Sequence, residues 1–408
     1  MPNFLPPPGE LSKDPVLDRT LRSSLADGIG FSLMIGMAES YFAAFAIALR
    51  ATASQLGIIA AVPPVLAALT QITSVWLGRN VNRRKRLIVV GAVVQAVALL
   101  PLAMAPLLFP EHAIPLLLAF AVIYFAGPNL GAPHWGSLMG DLVPENRRGR
   151  FFAQRNRLSS LANFVGLLLA GSLLEASALL GAPSLGFVLI FTLAACARSY
   201  SARQLWRMHE PERTPVKDPR PWLASVREGY ADPALRRFSL FVAAMQGSVA
   251  LASPFFALYM LRDLGFTYVE FMFNTAASVA IQFLTLARWG RLSDLFGNRL
   301  ILVTTGTIIP AMPLLWLVST DYAWLLAVQM LSGLCWAGFS LSAANSLFDL
   351  IPGERRTPLM ASHNALMAVG VFTGAMIGGW LGSTLPASLT LAGTTLDWRS
   401  PLYGVFVI

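Results

Sequence analysis

Glu39 is the residue whose type and position most need explaining. It is the thirteenth residue of an apolar run over 27–49, so a helix of that length carries it near the middle of a bilayer. A charged side chain there costs about 2.5–3.5 kcal/mol on insertion scales and persists when it faces a cavity or a partner. Ser32, Gly36 and Ala43 share its helical face. Such a carboxyl can carry a proton or hold a substrate; it can equally stay protonated and bond a neighbouring helix. A second set, Asn274, Ser278, Gln282 and Thr285, is spaced four, four and three along the run 268–289. That spacing lines one helical face with hydrogen-bonding groups that lipid cannot satisfy, so the face should turn inward. Gln246, Asn129, Trp336 and Asn345 complete the candidates for a substrate or proton site. Each alone is weak, because interhelical hydrogen bonds of this kind are ordinary structural glue.

The elements that must position these residues follow from composition. Hydrophobic residues make up 55% of the chain and charged ones 12%, against roughly 25% charged in soluble domains. Apolar runs near 27–49, 54–77, 87–109, 114–140, 158–180, 184–201, 238–261, 268–289, 300–319, 323–348 and 358–384 each reach the ~20 residues that a membrane helix needs. A twelfth begins after Pro401 and is far too short, so the twelfth helix is expected to be largely missing from this chain. Pro63 and Pro64, and Pro128 and Pro133 beside Gly127 and Gly131, should bend or loosen the second and fourth spans. The start, MPNFLPPPGELSKDPVLDRT, lacks the apolar core of a cleaved leader.

The net charge of +9 does not point to nucleic acid. Every Lys and Arg except Arg50, Arg262 and Arg399 falls in the N-terminal tail or in and beside alternate loops, the imbalance that places those segments in the cytoplasm. The N-terminus is therefore expected on the cytoplasmic side of a plasma membrane, with anionic lipid headgroups as neighbours. Cys196 and Cys335 show no pairing or metal spacing, and His112, His134, His209 and His363 form no HExxH or haem-ligand pair. Neither a metal nor a cofactor is expected, and a membrane enzyme acting on lipid is a distant alternative.

One stretch occurs twice. DLVPENRRGRFFAQRNRL from Asp141 and DLIPGERRTPLMASHNAL from Asp349 share eight residues in eighteen, where unrelated sequence gives about one. The copies lie 208 residues apart, which suits two large repeats and not a solenoid. The expected organisation is a tail over 1–26, a six-helix bundle over 27–201, a proline-rich cytoplasmic linker over 202–237 and a second, truncated bundle over 238–408. The fold class is all-α and polytopic, two six-helix bundles related by a pseudo-two-fold.

A second pair of loops agrees. GRNVNRRKRL opens at Gly78 and GRLSDLFGNRL at Gly290. The latter resembles the loop signature of the major facilitator superfamily at Gly290, Asp294, Gly297 and Arg299; in the first repeat the frame holds Gly78, Asn82, Arg83 and Arg86, with Asn82 and Lys85 departing from it. The resemblance implies a cytoplasmic latch in which Asn82 caps a helix start and Arg86 faces Asp141, with Arg147, Arg148 and Asp349 as further gate residues. It also implies a secondary transporter that moves a small-molecule substrate by alternating access, with proton coupling possible, acting as a monomer. No GxxxxGK[ST] run indicates direct use of ATP, and the family's antiporter motifs are not visible. The alternative from another class is a transporter-like scaffold without transport activity.

Overall fold

The computed structural model describes residues 9, 11–77, 84–143, 145–211, 222–351, 356–384, 388–391, 394–397 and 402–407. Among them, eleven helices are long and apolar enough to cross a membrane. In chain order the helices are α1 (Pro15–Met37), α2 (Phe42–Ala48), α3 (Ala53–Leu77), α4 (Arg84–Leu108), α5 (Ala113–Leu142), α6 (Glu145–Leu179), α7 (Pro183–Arg207), α8 (Trp222–Ala231), α9 (Pro233–Leu258), α10 (Tyr268–Phe296), α11 (Asn298–Ile308), α12 (Met312–Val318), α13 (Tyr322–Leu350), α14 (Arg356–Thr384) and α15 (Leu402–Val407). Between α14 and α15 a short hairpin pairs β1 (Ser388–Leu391) with β2 (Thr394–Asp397).

Local sequence sets several helix ends differently from the apolar runs. Asp14 caps α1 by accepting from the Val16 amide, with Pro15 at the first helical position, so α1 starts twelve residues before the run at 27. Asp18 inside its first turn accepts amides from Gly9, Leu11 and Ser12, which ties the preceding tail to the helix. α6 reaches back to Glu145, well before 158. The first span is interrupted by a 3-10 turn at Glu39–Tyr41, and the ninth by another at Ile309–Ala311, where Pro310 cannot donate. The prolines of α3 and α5 lie inside unbroken helices.

The chain divides into two compact units, residues 1–42 with 66–218 and residues 43–65 with 219–408. In the first, α1 packs on α6 and α7, and α4 on α5 and α7. Gly91 and Gly127 face each other so closely that a Cβ on either would strike the other's carbonyl oxygen, which is why only glycine fits there. In the second, α9 packs on α14, α10 on α13 and α11 on α13, with the Gly247 carbonyl against Gly374. The first span on the fifth and the third on the fourth thus recur as the seventh on the eleventh and the ninth on the tenth. The duplicated DLVP and DLIP stretches end α5 and α13 in the same way. Val143 (φ −94°, ψ 115°) and Ile351 (φ −102°, ψ 116°) are both extended caps, because a residue before proline is pushed out of the helical region.

Candidate functional site

The first unit carries charge within its spans. Asp27 on α1 is buried; its Oδ2 accepts from Arg155 Nη2 of α6 at 3.0 Å and its Oδ1 from Ser201 Oγ of α7 at 2.7 Å. Arg198, one turn earlier on α7 and also buried, donates to Ser201 Oγ and holds Nη1 3.8 Å from Asp27 Oδ1. The guanidinium of Arg198 lies over the Phe31 ring at 4.6 Å and that of Arg155 over Trp135 at 4.4 Å, a favourable cation–π geometry. Sequence reasoning missed this cluster. It placed Asp27, Arg155 and Arg198 at span ends and read both arginines as topology charges, because a hydropathy window stops at a charge whether or not a partner neutralises it. The only signal was Asp27 and Phe31 on one helical face beside Gly28 and Gly30.

Glu39 sits at the interruption between α1 and α2 and accepts from Tyr124 O–H of α5 at 3.2 Å. Met34 Sδ lies 2.9 Å from the same hydroxyl. Tyr124 is fully buried, as is Gln95 of α4, whose side chain hydrogen-bonds the phenol. The 3-10 turn ends the helical register that would carry Glu39's expected face on to Ala43. Gly36 instead packs against the Asn163 carbonyl of α6. Asn129 does not join Glu39: its amide donates to the Phe125 carbonyl of its own helix at 2.8 Å.

In the second unit, Ser278 and Trp336 line one cavity of about 420 Å3, with Ser248, Thr275, Gln329 and Ser332. These last four were not anticipated, since single hydroxyls and amides in apolar runs carry no spacing signal. Asn274 is completely buried, and neither its Oδ1 nor its Nδ2 has a hydrogen-bond partner. Thr285 bonds back to Ile281, and Gln246 and Gln282 are half-buried outside the cavity lining. Asn345 lies elsewhere, donating to Asn298 Oδ1 at 3.4 Å at the start of α11.

The gate loops need one correction of pairing. Arg84, not Arg86, meets Asp141, at 2.7 Å, and also donates to Ser137 Oγ at 2.8 Å. α4 starts at Arg84, and the residues three to four apart that follow it, Ile88 and Gly91, are those that touch α5. Arg86, two positions on, points to the other side of the helix and is exposed. Gly290 is not a turn residue but lies inside α10, where a Cβ would meet the Leu341 side chain. Gly297 makes the turn, with φ +80° at the end of α10. Asp294, Arg299 and Asp349 are exposed. Arg147 and Arg148 lie in the first turn of α6, their side chains outside the described residues. Gly78, Asn82 and Arg83 also lie outside the described residues. Among the described residues no group of His, Cys, Asp and Glu could hold a metal ion. Cys335 is buried and Cys196 exposed.

A helical membrane protein with two matching repeats and polar groups inside its spans has a repeat architecture common among secondary transporters. A sequence profile described as the Major Facilitator Superfamily matches residues 25–249 and 238–408, and the chain belongs to that superfamily. No curated protein matches the sequence at a significant level. Its fold is similar to a variant of the nucleoside transporter NupG, with TM-score 0.71 at 10% identity over 95% of each chain. It is also similar to a bacterial homologue of the human lysosomal transporter Spinster in an inward-facing, unoccupied conformation, with TM-score 0.69 and 17% identity over 91% of this chain and 84% of that one. A D-xylose-proton symporter gives TM-score 0.67 and 14% identity over 90% and 89%. At these identities the likeness is one of fold.

Proposed function

We propose that the protein is a secondary transporter that moves a small solute by alternating access, the halves 27–201 and 238–408 opening the path to one side of the membrane at a time. The observation that carries this is a carboxyl within a membrane span: Glu39, half-buried at the break in the first span, accepts from the fully buried Tyr124 hydroxyl of the fourth. A static bundle gains little from a carboxyl in hydrocarbon, whereas a carrier that exchanges protons needs one. The break at Glu39 supports the same reading. Backbone that is not α-helical is tolerated at membrane depth where it is enclosed by protein or lines a cavity, and it frees the carboxyl from the helix's own register. Coupling to protons through Glu39 is part of the proposal. So is a gate at the Arg84–Asp141 end, with Gly297 and Asp294 at the corresponding loop of the second half.

The excess of basic residues supports a cytoplasmic side for the N-terminus and residues 202–237, and the proposal includes a monomer in the plasma membrane. Purified protein in liposomes, loaded with a mixed solute pool and given a pH gradient, should accumulate at least one external solute above its equilibrium level. Equal leakage in liposomes with and without protein, for every solute class offered, would leave a scaffold as the better reading.

A further inference from the structure

Beside the Asp27 cluster is a cavity of about 230 Å3 lined by Asp27, Phe31, Ile88, Trp135, Arg155 and Arg198, among others. Its charges do not balance. Two guanidiniums meet one carboxylate, which leaves one positive charge in excess among side chains 5%, 16% and 6% exposed for Asp27, Arg155 and Arg198. Asp27 is also fully engaged, one oxygen with Ser201 and the other with Arg155. Two lining residues nevertheless hold buried donors with no acceptor: the indole N–H of Trp135 and the Nε–H of Arg198. Neither group can accept a hydrogen bond. Unmet donors and a surplus cation in the same buried place lack the same thing, acceptor oxygens that bring a negative charge.

We propose that this cavity binds an anionic oxygen group, a carboxylate or a phosphate. The Trp135 and Arg198 N–H groups donate to it and the Arg155 guanidinium adds its charge, while the Phe31 and Trp135 rings border the apolar part of the ligand. The volume is below the roughly 300–1,000 Å3 of sites for drug-sized ligands, which suits one charged head group with a small attached body. As a substrate site this rests on the transporter reading; as a binding site it is measurable without transport.

The test uses the full chain, purified and placed in nanodiscs. Benzoate and phenyl phosphate should raise the unfolding temperature and bind saturably by calorimetry; benzyl alcohol and benzylamine should not. Arg198→Gln should weaken benzoate binding more than tenfold. Because that variant can fail to fold, Trp135→Phe keeps every charge, removes one donor, and should weaken binding about three- to tenfold. Asp27→Asn removes the internal competitor, so benzoate should bind at least tenfold tighter even though the protein without ligand is less stable, an inversion that a purely structural cluster would not give. Phosphatidylglycerol nanodiscs against phosphatidylcholine ones distinguish the source. Competition by the former assigns the site to a lipid headgroup, and equal benzoate binding in both assigns it to a water-soluble anion. Binding of the neutral probe as tight as that of the anions, or benzoate affinity unchanged in both Trp135→Phe and Asp27→Asn, overturns the proposal. Anion binding without transport of any solute would sink the transporter reading and leave this one standing. Transport of neutral solutes without anion binding would do the reverse.

Discussion

The two units repeat a backbone but not a chemistry. The first buries Asp18, Asp27, Arg84 and Arg198, whereas among the described residues the second buries no Asp, Glu, Lys or Arg at all. Its interior polar groups are hydroxyls, Asn274 and the serine-bonded His363, around a cavity lined by serines, a glutamine and aromatic rings. Glycine-mediated helix contacts and the proline-terminated caps at Val143 and Ile351 recur because they build the bundle. Charge does not recur because the bundle does not need it. A membrane bundle holds together by close packing of small residues, so the ionised groups of the first unit call for an explanation in function, and the neutral ones of the second for one in shape.

The largest effect that separates the units should come from Asp27. Asp27→Leu leaves Arg155 and Arg198 without their carboxylate, and breaking a buried pair from one side costs about 3–5 kcal/mol. The figure belongs at its lower end because Arg155 keeps some access to water. Ser278→Ala in the cavity of the second unit should cost under about 1 kcal/mol. Unfolding of both variants in the same detergent measures the contrast. Equal losses would mean that the ion cluster is no more structural than a serine.

Glu39→Gln sharpens the comparison at the level of mechanism. The amide keeps the side chain's shape and its bond with Tyr124 while removing ionisation, so proton-driven accumulation should be lost and solute exchange across the membrane retained. Replacement by Ala would open a void as well and confuse the two effects. Wild-type accumulation with unchanged pH dependence in Glu39→Gln would reduce the carboxyl to helix packing. The search for the site would then shift to the second unit's cavity.

A smaller effect is expected at the loop end of the first unit. Arg84 is buried, but the Asp141 side chain is 52% exposed, so their pairing should be worth about 1 kcal/mol or less. Arg84→Asp and Asp141→Arg should each slow transport, and the two together should recover part of the loss. A double variant no better than the worse single one would show that the contact has no part in the gate.

The sequence made the scaffold legible and hid much of the chemistry, for a physical reason. Eleven spans are written in long apolar runs, and the repeat in eight identities over eighteen residues. Glu39 stood out because it is an isolated charge surrounded by apolar residues. Asp27, Arg155 and Arg198 did not, since each lies near the end of an apolar run, where a charge is ordinarily solvated; only the crossing of α1, α6 and α7 shows that both arginines meet the one carboxylate. The loop resemblance pointed to Arg86 where the structure pairs Arg84, two arginines two positions apart on different sides of one helix. Ser278 and Trp336 were found together in one cavity, while Asn129 and Asn345 were not, because an amide in a helix can equally bond its own backbone or a neighbouring helix end.

Asn274 gives the finest test of the contrast between the units. Its side chain is completely enclosed and both polar atoms lack partners, so it carries the desolvation cost of an amide without the compensating bonds. Leucine has nearly the same size and no polar atoms. If the second unit's interior is shaped only for packing, Asn274→Leu should stabilise the protein by about 1 kcal/mol or less and leave transport unchanged. If the amide is kept for a ligand or for a conformation in which it finds a partner, the same variant should be more stable yet transport several-fold more slowly, the trade expected of a residue retained for activity. We expect the second outcome, because Ser278, one helical turn after Asn274 on the same face, lies in the cavity wall, as does the adjacent Thr275. Unfolding temperature and initial uptake rate, measured on the same preparation, decide it. A variant that is both less stable and less active would show instead that Asn274 has a structural partner that the buried environment conceals.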